Sequence, residues 1–127
     1  MKLRIKGNSL RLRLTRSELE RFALGDRIEE TIQFSSAEHA KLTYALESST
    51  GLKAVSVRYL PQDVTVILPE EQVLIWSDVN NVGVYANVDI GEAGVLEIAV
   101  EKDFACLDGS DEDNRDTFAN PHAGSMC

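Results

Sequence analysis

KLRIKGNSLRLRL, residues 2–14, is the stretch from which the fold class is read. Lys2 to Lys6 alternates polar and apolar, Gly7-Asn8 is a turn-forming pair, and Leu10 to Leu14 alternates again. Period two on both sides of a turn predicts a β-hairpin with one apolar face. Leu3, Ile5, Leu10, Leu12 and Leu14 are then candidate core residues. Lys2, Arg4, Lys6, Arg11 and Arg13 line the other face. That face reads either as an ordinary solvated sheet surface or as a basic surface for an acidic partner.

Downstream, Thr15 and Glu18 have capping-box spacing, with the threonine hydroxyl and the glutamate carboxylate each reaching the other's amide. Leu19, Phe22 and Ala23 continue at helical spacing, and Gly25 is a C-terminal stop. Ile32 and Phe34 belong to a strand over 29–34. Residues 35–40, including His39, read as a loop, and His39 is assigned no role. Strands follow at about 41–47, 55–59 and 64–68, separated by turns at Ser48–Gly51 and Pro61-Gln62. Pro69 opens a second short helix, because its missing N–H is not needed there, and Glu70 and Glu71 suit the positive end of the helix dipole. Trp76 is its core anchor. Strands from Val82 to Val88 and from Val95 to Val100 complete the pattern. No internal repeat is visible. Short turns between strands point to an α+β domain over residues 1–102. It has one mainly antiparallel sheet of seven or eight strands and two short helices.

Residues 103–127 form an extended acidic tail. Residues 101–127 hold seven acids against Lys102 and Arg115, whereas residues 1–16 hold six bases and no acid. Phe104, Leu107 and Phe118 are apolar anchors of a kind that disordered tails seldom keep. The tail is therefore expected to dock on its own domain, with the basic hairpin as its electrostatic complement.

The 127 residues suit one domain, and an apolar share of 43% is ordinary for a globular chain. The net charge of −8 disfavours broad nucleic-acid binding and does not help adhesion to anionic membranes. There is no apolar run long enough to span a bilayer and no apolar stretch after the N-terminal charges, so a cytoplasmic protein is expected. Neither a nucleophile-elbow GxSxG nor a glycine-rich phosphate loop occurs. Two histidines, one in a loop and one in the tail, offer little to a catalytic triad. A carboxylate-based hydrolase is a distant third reading, after an interaction or structural domain and a metal-binding protein.

The metal reading rests on the tail. Cys106, His122 and Cys127 carry thiolate and imidazole ligands suited to Zn²⁺, with an aspartate, Asp108, or the terminal carboxylate as the fourth. Their spacing lacks the close cysteine pair of a zinc finger. A Cys106–Cys127 disulfide and two free thiols are the alternatives. The run from Asp108 to Asp116 fails the EF-hand pattern, because Arg115 stands at a ligand position and Asp116 at the turn glycine. The expected partner is a protein, and exposed sheet edges make a homodimer one form of it.

Met1-Lys-Leu-Arg-Ile-Lys-Gly-Asn-Ser-Leu-Arg-Leu-Arg-Leu-Thr15 and Glu101-Lys-Asp-Phe-Ala-Cys-Leu107, with Glu112-Asp113 and Asn120-Pro121 downstream, resemble the pattern of a small family of uncharacterised bacterial proteins. The resemblance spans nearly the whole chain. It implies a single-domain bacterial protein and brings no activity. His122 is not part of that pattern, which weakens the Cys/His metal site.

Overall fold

The computed structural model describes residues 1–104 and 116–119. At its N-terminus, β1 (Lys2–Ile5) and β2 (Ser9–Leu14) pair antiparallel, Leu3 opposite Leu12. Gly7 turns between them at φ +55°, a conformation that favours glycine. The helix α1 (Arg16–Ala23) starts at the expected box: Thr15 accepts from the Glu18 amide, and Glu18 accepts from the Thr15 amide. It ends in a Schellman arrangement, Gly25 N–H donating to the Phe22 carbonyl and Asp26 N–H to the Arg21 carbonyl. The Glu18 carboxylate also holds the Met1 ammonium at 2.6 Å. Glu30 reaches the same ammonium at 3.0 Å and accepts a hydrogen bond from the Tyr44 hydroxyl.

The remaining elements are β3 (Ile28–Gln33), β4 (Lys41–Ser49), β5 (Ser56–Leu60), β6 (Asp63–Pro69), α2 (Glu70–Ser77), β7 (Gly83–Asp89) and β8 (Val95–Lys102). A 3₁₀ turn at Gly91–Ala93 joins the last two. The expected single antiparallel sheet is replaced by two four-stranded mixed sheets, ordered β1-β2-β8-β7 and β3-β4-β6-β5. Their outer pairs are antiparallel, while the central pairs β2·β8 and β4·β6 are parallel. Short turns announce hairpins, but parallel neighbours are strands far apart in the chain, and no local signal marks them.

A repeat hidden in the sequence appears in the registers. Lys2 pairs with Arg13, and 54 residues on, Ser56 pairs with Ile67. Leu14 lies beside Lys102, and the corresponding Leu68 lies beside Ser48. The helices Arg16–Ala23 and Glu70–Ser77 keep the same offset. Opposite the equivalent residues Leu46 and Val100 stand Ile28 and Val84, so two extra residues precede β7. The chain is thus two ββαββ halves. Each sheet takes one hairpin from each half, so neither half closes a sheet alone.

The core draws on both sheets and both helices: Leu12, Leu14, Ile98 and Val100 from the first sheet, Ile28, Leu46, Val66 and Leu68 from the second, and Leu19, Phe22, Val73 and Trp76 from the helices. Trp76 is 1% exposed, and its indole N–H donates to the Val82 carbonyl at 3.0 Å, as a core anchor should.

Candidate functional site

The outer faces of the two sheets occupy equivalent places in the two halves, and their chemistry differs. On the first sheet, the alternation that turns Leu10, Leu12 and Leu14 inward turns Arg11 and Arg13 outward. Register sets Arg4, Arg11, Ala99 and Tyr85 side by side in one row across the four strands. Ala99 projects only a methyl group between Arg11 and Tyr85. A basin of about 660 Å³ opens there, lined by Arg4, Lys6, Arg11, Tyr85, Asn87 and Glu97 among others.

Glu101 stands in the next row. It accepts an ion pair from Arg11 at 3.2 Å and a weaker one from Arg13 at 3.7 Å. The Tyr85 hydroxyl donates to it at 2.6 Å. Burial and that bond to Glu101 push the Tyr85 phenol up to about 12, so it remains a neutral donor at physiological pH. Among the described residues, Arg4 and Lys6 have no carboxylate within ion-pair distance. Lys2, by contrast, reaches Asp103 at 3.0 Å.

On the second sheet the equivalent positions are Arg58, Thr65, Ala45 and Glu47. Here the surface is closed. Arg27 lies across it, bonded to Glu29 at 2.9 Å, to Asp63 at 3.2 Å, to the Thr65 hydroxyl at 3.2 Å and to Glu47. Arg58 adds a second cation to Glu47 at 3.1 Å. Beneath this raft Ala45 and Thr65 are 1% and 0% exposed. Hydrogen bonds from Arg58 and Arg27 outweigh burial and hold Glu47 below the ordinary carboxylate range. Burial opposes the charge of Arg27, but its bonds to Glu29 and Glu47 raise its pKa further. Where Arg27 begins the raft, two residues before Glu29, the first sheet has Gly83, two residues before Tyr85.

Part of the tail is visible beside α1. The Arg16 amide donates to the Asp116 carbonyl at 2.9 Å, and the Asp116 carboxylate accepts from the Ser17 amide and hydroxyl. The two amides are first-turn donors that the helix itself leaves unpaired. The Ser17 bonds lower the Asp116 pKa. Phe118 N–H donates to the Asp103 carbonyl, and the Phe118 ring meets Phe104 edge to face at 6.0 Å. These residues meet the start of α1 rather than the basic sheet face. Cys106, Asp108, His122 and Cys127, the sequence-derived zinc set, lie outside the described residues, as does Leu107. Among the described residues no group of three or more His, Cys, Asp or Glu side chains is placed to hold a metal ion. Among them, too, no helix is long and apolar enough to cross a membrane.

A model of a family of unknown function, DUF7009, matches residues 1–122. The chain belongs to the DUF7009 family. No curated protein and no solved structure matches it. Membership agrees with the resemblance to an uncharacterised family and assigns this DUF7009 domain no activity.

Sequence reasoning named the basic residues of the site but missed Tyr85, Glu101 and Ala99. Their part in it follows only from the β2·β8 and β7·β8 pairings. It also missed Lys102, although the alternation of Leu96, Ile98 and Val100 continues inward to it.

Proposed function

We propose that this protein is a non-catalytic binding domain that holds an acidic segment of a partner protein on the outer face of its first sheet. The observation that carries the reading is the contrast between the two faces. On the second sheet the arginines are neutralised within a closed raft. On the first, Arg4 and Lys6 have no ion-paired carboxylate among the described residues and face a basin whose lining also includes Glu97. Guanidinium groups bind carboxylates through paired donors, and Tyr85 and Asn87 add neutral polar groups at the opposite rim. The overall charge of −8 repels anions at long range, so a partner is selected by the local face rather than by the field of the whole protein.

Fluorescence anisotropy with a labelled peptide of alternating glutamate and serine tests the reading. Binding should weaken about tenfold in Arg4→Ala/Lys6→Ala, fall steeply with added salt, and persist in Arg58→Ala. Equal binding by the Arg4/Lys6 variant, or loss on Arg58→Ala alone, would contradict it.

A further inference from the structure

Lys102 closes β8, and the alternation that buries Ile98 and Val100 buries it as well, to 4% exposure. Its ammonium donates to the Asp78 carbonyl at 2.7 Å and lies 5.4 Å from the centre of the Phe118 ring. Among the described residues no carboxylate pairs with it. A buried ammonium held by a backbone carbonyl and not by a paired carboxylate is costly, and the cost falls when an anion arrives. Burial holds the Lys102 pKa below that of an ordinary lysine, against the opposing charge of Asp78.

Beside this ammonium a cavity of about 430 Å³ opens against one side of α1. Its walls include Leu19, Ala23, Val79, Phe104 and Phe118, and the exposed Glu20 also lines it. Arg16 stands exposed at the rim, its guanidinium 5.7 Å from the same Phe118 ring. Cavities of this size, mostly apolar with a few polar groups, are typical small-molecule sites.

We propose that this cavity binds a small monocarboxylate with an apolar body, its carboxylate at Lys102 and its hydrocarbon against Leu19, Val79 and Phe104. One buried cation matches a single negative charge, and the apolar walls together with the Glu20 carboxylate disfavour a strongly hydrated dianion such as phosphate. Arg16 at the rim adds attraction without closing the entrance. The site is separate from the basin on the first sheet and does not depend on the partner proposed there.

Titration of the full chain with sodium octanoate, and separately with octanol, followed by methyl NMR, tests this. Octanoate should shift the Leu19, Ala23 and Val79 methyl signals with saturation, at an affinity about tenfold or more above that of octanol. It should also raise the Lys102 pKa read from its side-chain signals. In Lys102→Met the preference for octanoate should vanish, whereas in Arg4→Ala it should remain. The proposal is overturned if octanol binds as well, if the shifts map elsewhere or never saturate, or if the wild-type Lys102 pKa does not move. It is also overturned if Lys102→Met keeps the preference.

Discussion

Phe22 and Trp76 meet edge to face with ring centres 6.2 Å apart, and they occupy the same position in the two halves of the chain, 54 residues from each other. The contact joins α1 to α2 on the line that relates one half to the other. Each ring is buried, and each half reaches the core through it. Truncating either to alanine should cost about 3–5 kcal/mol. Because the rings touch, the double variant should be less destabilised than the sum of the singles, by roughly 0.5–1.5 kcal/mol. Urea unfolding of the four proteins checks this. Additive losses would mean that the rings are buried independently.

Glu18 joins the capping box to the Met1 ammonium. Burial alone would raise its pKa, but the bonds to that ammonium and to Thr15 outweigh it and hold the carboxyl below its ordinary 4.5. The folded pKa is depressed, so the stabilisation is fully present above the unfolded value and is lost as pH falls through the folded one. Glu18→Gln keeps a capping partner but removes the charge. The variant should be less stable than wild type at pH 7, and the gap should close as pH falls below about 4.5 towards the lowered value. Parallel thermal melts across that range provide the measurement, and a gap that stays constant would refute the assignment.

Asp116 and Phe118 bring part of the tail onto α1. Asp116→Ala removes the carboxylate that accepts from the Ser17 amide and hydroxyl, leaves the Arg16 amide on the backbone carbonyl, and should cost about 0.3–1 kcal/mol, less at high salt. Phe118→Ala removes the contact with Phe104 and should cost more, about 1–3 kcal/mol. If the tail docks as a unit, either change should speed hydrogen exchange at the Phe104 and Phe118 amides together. Exchange at random-coil rates in the wild-type protein would mean that the tail is not held.

Gly83 fits only because it lacks a side chain. A Cβ there would stand 2.6 Å from the Val100 carbonyl oxygen and 3.2 Å from the Tyr85 hydroxyl. The first is backbone in the neighbouring strand and cannot step aside. Gly83→Ala should therefore destabilise by about 1–3 kcal/mol and disturb the Tyr85–Glu101 bond. A melting temperature equal to wild type would show that the strand yields freely.

Local signals in the sequence proved the most legible. The hairpin around Gly7-Asn8, the Thr15–Glu18 box, the Gly25 stop and the Trp76 anchor are each written within a few residues, and each stands where its spacing places it, although Ile5, expected in the core, is 62% exposed at the end of β1. Pairing between distant strands is not written that way. Leu14 beside Lys102 and Ser48 beside Leu68 follow from the two halves exchanging hairpins, a relation carried by register rather than by identity. Leu12 and Val66, or Phe22 and Trp76, share a role without sharing a residue. The candidate site suffered accordingly: Arg4 and Arg11 were visible as one face of a hairpin, while the Ala99 gap and the Tyr85 rim depend on β7 and β8 joining that hairpin's sheet.

The central claim is that the basic face of the first sheet, and not its neutralised counterpart, is where a partner binds. Amide NMR of the full chain, titrated with the glutamate-serine peptide, tests it most directly. The expected result is saturable shifts at Arg4, Lys6, Arg11, Tyr85 and Asn87, with the amides of Arg58, Thr65 and Glu47 unmoved. Shifts centred on the second sheet, or none at either face, would contradict it.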